Sequence, residues 1–187
     1  MTWLDRYLQR LRFNAVAPWI PSGARVLDVG SGDGSLLVAL GSRIGPSVAI
    51  DPVLAPREDL EARHTCVIGR VEDLSPDEHF DVACAVAMFE HLDEVELSGI
   101  AAGLFARIVP GGVLVATIPA PLVDRILEVL IGLRLVAAQS FHEHHGADPE
   151  RIAEVIQASG FVLRHHRRFE LGLNHCFVFD RPTSPQH

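Results

Sequence analysis

The sequence predicts a doubly wound α/β fold, a mostly parallel sheet covered by helices on both faces, on three observations. Short β-branched and apolar runs alternate with helical patterns between residues 25 and 118. The first of those runs leads directly into a glycine-rich turn, VLDVGSGDG at 26–34. The last two runs, 161–169 and 174–179, are so closely connected that they pair antiparallel, since a parallel pair needs a much longer crossover.

Each element follows from its local pattern. Trp3, Leu4, Tyr7, Leu8 and Leu11 recur at helical spacing, which predicts an N-terminal amphipathic helix within 1–20 that ends before Pro18 and Pro21. Strands are expected at 25–29, 48–51, 65–68, 80–86 and 113–118, with helices at 35–40 and 93–108. A helix at 149–159 stops at Gly160, and the closing pair puts one reversed strand into the sheet. Residues 1–180 are expected to form a single domain with 119–148 as an insertion, followed by a disordered tail, RPTSPQH at 181–187.

With 187 residues, 48% of them hydrophobic, the chain can bury one sizeable core. A formal net charge of -8 argues against a nucleic-acid partner, and the basic run RHHRR at 164–168 reads as a solvated strand face. Cys66, Cys84 and Cys176 are odd in number and set among apolar residues, as small buried hydrophobes are; no metal is expected. No export signal is seen, so the cytoplasm is the expected compartment. The apolar stretch 119–138 is interrupted by Asp124, Arg125, Glu128 and Arg134, which would be costly in hydrocarbon, so no membrane span is expected.

Gly30, Gly32 and Gly34 let the backbone approach a ligand at the carboxyl end of the first strand, where doubly wound sheets bind ligands; a turn that needs glycine for its own geometry is the equal alternative. Asp51 ends the second strand, where a carboxylate can meet the two hydroxyls of a ribose, although a solvated acid before Pro52 explains it as well on its own. Asp28, inside a strand, would be costly to bury without a partner, so it holds the turn or a cationic ligand group. The spacing is GxGxG, with Ser35 where a dinucleotide fingerprint has its third glycine, and Asp33 would repel a pyrophosphate.

At these residues the sequence resembles the class I S-adenosylmethionine-dependent methyltransferases of the small-molecule, type 11-like kind. The resemblance implies their Rossmann-like sheet of seven strands with the last antiparallel, and S-adenosylmethionine as cofactor. VLDVGSGDG is similar to the family's first motif, which would set Asp28, Gly30, Ser31 and Gly32 beside the methionine portion. AIDP resembles the second, with Asp51 on the ribose and Pro52 next to it. GRVEDLS resembles the third, but Arg70 stands where the family commonly has an aspartate, so the adenine contact would fall to Val71 and Glu72. FDVACAVAMFEHLDE resembles the fourth, with Ala87 and Met88 on the methionine side and Glu90 and His91 facing the reaction site.

Methyl transfer from a sulfonium is an in-line displacement, needing a base only where the acceptor must lose a proton. His91 is the leading base candidate; a histidine that packs or caps at a helix start competes with that role. His142, Glu143, His144 and His145 read as a solvated loop or as an acid/base pair, His144 and His145, facing the acceptor. Leucines and isoleucines through 119–148 fit core packing, a lid over a partly apolar or lipid-linked small molecule, or a homodimer face. Two other classes stay open: a non-catalytic regulatory or assembly domain that binds the same cofactor, and a nicotinamide oxidoreductase, which Ser35 disfavours.

Overall fold

In the computed structural model, which describes residues 3–55, 58–120 and 148–183, a seven-stranded sheet runs in the order β3-β2-β1-β4-β5-β7-β6. The strands are β1 (Val26–Val29), β2 (Val48–Asp51), β3 (Thr65–Ile68), β4 (Phe80–Val86), β5 (Ile108–Pro119), β6 (Val162–Phe169) and β7 (Asn174–Asp180). The first five pair in parallel, and β7 lies antiparallel to both β5 and β6, so it alone is reversed. The mostly parallel sheet with a reversed last strand is therefore present.

Helices α1 (Trp3–Val16), α2 (Ser35–Leu40) and α3 (Glu58–Glu61) precede or separate the early strands; α4 (Glu94–Arg107) and α5 (Pro149–Ala158) belong to the second half. Strand alternation sorts side chains into two apolar layers. Leu27, Val29, Ile50 and Phe177 pack with Leu97, Ile152 and Ile156 on the α4/α5 face. Val26, Cys84, Cys176 and Val178 pack with Val16, Leu36 and Leu37 on the α1/α2 face. β1 and β2 are buried along their whole length, as a sheet covered on both faces requires.

Local chemistry places the helix starts. Asp93 caps α4, accepting from the Glu96 amide at 2.8 Å while the Glu96 carboxylate reaches back to the Asp93 amide. Asp148 caps α5 by accepting from the Glu150 amide, with Pro149 in the first helical position.

Two expectations need correction. β5 begins at Ile108 rather than at 113, because Ile108 pairs with Phe80 and the Pro110–Gly112 stretch is taken up as an irregularity in the ladder. The tail expected from Arg181 onward is tied down at its first residue: the Arg181 amide donates to the Gly112 carbonyl at 2.9 Å, and its carbonyl accepts from the Gly111 amide. Residues 184–187, like the insertion residues 121–147 with His142, His144 and His145, lie outside the described residues.

Cys84 and Cys176 are buried on the α1/α2 face and Cys66 is half-buried; all are free thiols. No helix among the described residues is long and apolar enough to cross a membrane.

Candidate functional site

The carboxyl ends of β1, β2 and β4 converge on the glycine turn. Gly30, Gly32 and Gly34 all adopt positive φ, and at Gly30 the fit is also tight: a Cβ there would lie 2.4 Å from Cγ of Met88. A Cβ on Gly32 would meet nothing within 4 Å, so this glycine leaves its backbone open to a ligand.

Most amides of the turn are already engaged. Gly30 and Ser31 donate to the Ile50 carbonyl, Gly32 to Asp51 Oδ2 at 3.0 Å, Gly34 to the Ser31 carbonyl and Ser35 to Asp33 Oδ1. A pyrophosphate cradle needs free N–H groups aimed at the anion. This turn instead offers side chains.

Asp51 does two jobs. One oxygen takes the Gly32 amide and the other the Val53 amide at 2.8 Å, which ties β2 to the glycine turn. A carboxylate has about four acceptor sites, so two such bonds leave lone pairs for a ligand hydroxyl.

Asp28 stands on the α1/α2 face, in register with Cys84 of β4, and is 2% exposed. Its Oδ2 has no hydrogen-bond partner. Burial, reinforced by the nearby charges of Asp51 and Asp33, pushes its pKa from an ordinary 3.8 to about 8. A cationic group beside it would reverse that penalty.

Two cavities meet at Gly30. The first, of about 170 Å³, is a largely apolar recess lined by Val29, Gly30, Ile50, Asp51, Pro52, Gly69, Arg70, Val71, Met88, His91, Leu92 and Ile100. The second, of about 470 Å³, lies beneath α1 and is lined by Gln9, Arg12, Phe13, Asp28, Gly30, Ser31, Gly32, Asp33, Ser35, Leu36 and Val86. Three buried polar atoms on this second lining lack partners: Arg12 Nε, Asp28 Oδ2 and Ser31 Oγ.

Most motif residues thus come together: Asp28, Gly30, Ser31, Gly32, Asp51, Pro52, Val71 and Met88 all line one cavity or the other. Glu72 does not. It is exposed on the short turn Val71–Asp73, and Arg70 lines the recess in its place, with NH1 3.5 Å from Glu96 Oε1. Ala87 sits between the cavities, following Val86 and preceding Met88, in a left-handed conformation of φ 52°. Its amide donates to both the carbonyl and the hydroxyl oxygen of Thr117.

His91 ends the turn Phe89–His91 and does not cap α4, a role taken by Asp93. Its side chain is 39% exposed, lines the mouth of the apolar recess, and sets Nε2 4.0 Å from Oε1 of the buried Glu90. Arg12 is the residue that motif spacing missed, because nothing in an amphipathic helix tells which polar side chain will be folded over the sheet.

A seven-stranded sheet of this order, with a glycine turn after β1 and an acid at the end of β2, defines a doubly wound nucleoside-binding fold. Residues 2–166 match the model of the methyltransferase domain family, and the chain belongs to it. Its fold is that of the class I S-adenosylmethionine-dependent methyltransferases. It is similar to the 1,6-didemethyltoxoflavin-N1-methyltransferase of Burkholderia thailandensis, solved with 1,6-didemethyltoxoflavin and S-adenosylhomocysteine (TM-score 0.71, 17% identity, covering 96% of this chain and 80% of that one). It is also similar to the N-methyltransferase NodS of Bradyrhizobium japonicum WM9 in complex with S-adenosylhomocysteine (0.64, 14%, covering 95% and 86%). A third is the magnesium protoporphyrin IX methyltransferase of Synechocystis PCC 6803 with S-adenosylhomocysteine (0.64, 16%, covering 94% and 82%). No curated protein matches the chain by sequence.

Proposed function

We propose that the chain transfers the methyl group of S-adenosylmethionine, in line, to a small molecule that is partly apolar or lipid-linked. The observation that carries this reading is the cavity beside Gly30. A carboxylate, a hydroxyl and a guanidinium, each with an unpartnered buried atom, belong to residues that line one space, the complement of an amino acid zwitterion.

Asp28 would hold the ammonium, Arg12 the carboxylate and Ser31 either of them, while Gly32 lets the chain approach closely. Asp51 would take the ribose hydroxyls with its remaining lone pairs, beside Pro52. Val71, Met88 and Ile100 give the apolar walls that a purine ring needs. The cofactor supplies a methyl carbon on a cationic sulfur, a leaving group that is already good. The protein's work is then orientation, and Ala87, braced against Thr117, fixes where β4 delivers Met88. His91, with Glu90 beside it, would take a proton from an acceptor that must lose one. Residues 119–148, with His144 and His145, complete the acceptor side in this proposal. Apolar residues there support an acceptor that is itself partly apolar.

Calorimetry with S-adenosylmethionine, S-adenosylhomocysteine and NAD tests the reading. Micromolar binding of both sulfur ligands without NAD binding is expected, and folded protein that binds neither sulfur ligand overturns it. Asp28→Asn is the informative variant. Asp51→Ala would also release the Gly32 and Val53 amides and so confuse a lost contact with a disordered turn. Transfer of a tritiated methyl group into a metabolite or lipid extract separates an enzyme from a cofactor-binding regulatory domain.

A further inference from the structure

We infer that the side chains of Glu170 and Asn174, at the turn between β6 and β7, form a recognition site for a neutral hydrogen-bond donor on the acceptor molecule. The inference rests on the methyl-transfer reading and names a chemical class for its second substrate.

Asn174 opens β7, in register with Pro119 at the end of β5 and Phe169 at the end of β6. It therefore stands at the carboxyl edge of the parallel strands, the edge to which β1 brings the glycine turn and β4 brings Met88. By strand alternation it shares a face with Cys176 and Val178, the face that carries Asp28.

Asn174 is buried, Glu170 is half-buried, and the pair is incompletely satisfied. Asn174 is 1% exposed. Its Nδ2 donates to Glu170 Oε2, which leaves Asn174 Oδ1 and Glu170 Oε1 without partners. That bond also fixes the amide's orientation, because turning it over would set oxygen against oxygen. Both remaining atoms are acceptors. An unpartnered buried acceptor is costly, so it calls for a reason, and a ligand donor that completes it supplies one.

The backbone holds this arrangement under strain. Glu170 and Leu171 are consecutive non-glycine residues with φ of 52° and 58°, a conformation that side chains disfavour. The strain keeps the Glu170 carboxylate turned back against Asn174, while Leu171 stands wholly exposed at the tip.

Charge narrows the ligand. Burial raises the pKa of Glu170, while the Arg12 charge and the bond from Asn174 hold it down. Arg12 also lines the cavity that holds Asp28, so the pair adjoins the cofactor cavity without belonging to its lining. With a guanidinium charge already acting on it, this carboxylate gains less from a second cation. Two unpartnered acceptor oxygens side by side match neutral N–H or O–H donors, such as a primary amide, an aminoheterocycle or an alcohol.

Benzamide and N,N-dimethylbenzamide form a matched pair of probes that share ring and carbonyl and differ in two N–H donors. Ligand-observed NMR on protein saturated with S-adenosylhomocysteine is expected to show benzamide binding at least about tenfold more tightly. In Glu170→Gln the side chain still pairs with Asn174 but presents an NH₂ where Oε1 was, so the preference should vanish or invert while S-adenosylhomocysteine still binds. Equal binding of the two amides, binding of neither, or an undiminished preference in Glu170→Gln would overturn the site and leave the methyl-transfer reading standing. Wild-type protein that fails to bind S-adenosylhomocysteine would overturn that reading and this site with it.

Discussion

The two cavities that meet at Gly30 are built differently. The recess between Pro52, Val71 and Ile100 is largely apolar and made from strand ends, the turns after them and one side of α4. The cavity under α1 carries more polar and charged side chains, is lined by residues with three unpartnered buried atoms, and takes one wall from α1. An apolar recess holds a flat ring by shape and area, which is forgiving of substitution. A zwitterion pocket depends on individual charges, so single changes there are expected to cost much more.

The largest effect should come from Gly30, which belongs to both cavities. Gly30→Ala forces a side chain into a left-handed position and against Met88 Cγ at 2.4 Å. A loss of about 2 to 5 kcal/mol in folding stability, the sum of left-handed strain and overpacking, is expected in chemical denaturation. S-adenosylhomocysteine binding should fall below detection in the fraction that remains folded.

Next come the charges of the polar cavity, and one ligand pair isolates them. S-adenosylhomocysteine carries the amino acid group, whereas 5′-methylthioadenosine lacks it. Asp28→Asn and Arg12→Ala should each weaken the first by roughly tenfold to a hundredfold, as loss of a charged hydrogen bond of about 1.5 to 3 kcal/mol implies. Affinity for methylthioadenosine should stay within about twofold, since its interactions lie in the other cavity. Equal losses for both ligands would mean that the two cavities are not functionally separate.

A pH series sharpens the same contrast. The Asp28 pKa is raised from 3.8 to about 8, so between these values the folded chain keeps a proton that the unfolded chain has released. The group's contribution therefore favours folding at acid pH and is lost as pH rises through this window. Asp28→Asn removes the loss, and its melting temperature should exceed that of wild type by a margin that grows from pH 4 to pH 8. A bound ammonium favours the carboxylate, so wild-type affinity for S-adenosylhomocysteine should rise with pH over the same range. The variant should show no such rise.

The same division explains what could be read from the sequence. β-branched runs broken by glycine give strands within a residue or two, because burial on both faces leaves little choice of side chain. β5 was the exception, since Pro110, Gly111 and Gly112 read as a turn although the ladder with β4 continues past them. Asp28, Gly30, Asp51 and Met88 were legible because each sits in or just after one of the parallel strands β1, β2 and β4, whose carboxyl ends the sheet brings together. Arg12 was not: α1 fixes its own polar face but not what that face will cover. Glu170 and Asn174 read as ordinary turn residues until the register of β7 sets them at the carboxyl edge of the sheet. Glu72, expected near the adenine, is exposed, while Arg70 two positions earlier lines the recess.

The smallest expected effect lies at the divide between the cavities. Ala87 holds φ 52° with its amide bonded to Thr117, and in doing so sends Val86 to the polar cavity and Met88 to the apolar recess. Glycine would adopt that conformation without the left-handed penalty of about 1 to 2 kcal/mol, while its greater unfolded-state entropy returns roughly half of the gain. Ala87→Gly should therefore stabilise the free protein by about 0.5 to 1 kcal/mol in denaturant unfolding. If the strain serves to press Met88 against Gly30, the variant should bind S-adenosylhomocysteine a few-fold more weakly despite its greater stability. A variant that gains stability and keeps full affinity would show that Met88 is positioned by its packing, and that Ala87 is strained for the sake of the Thr117 bonds alone.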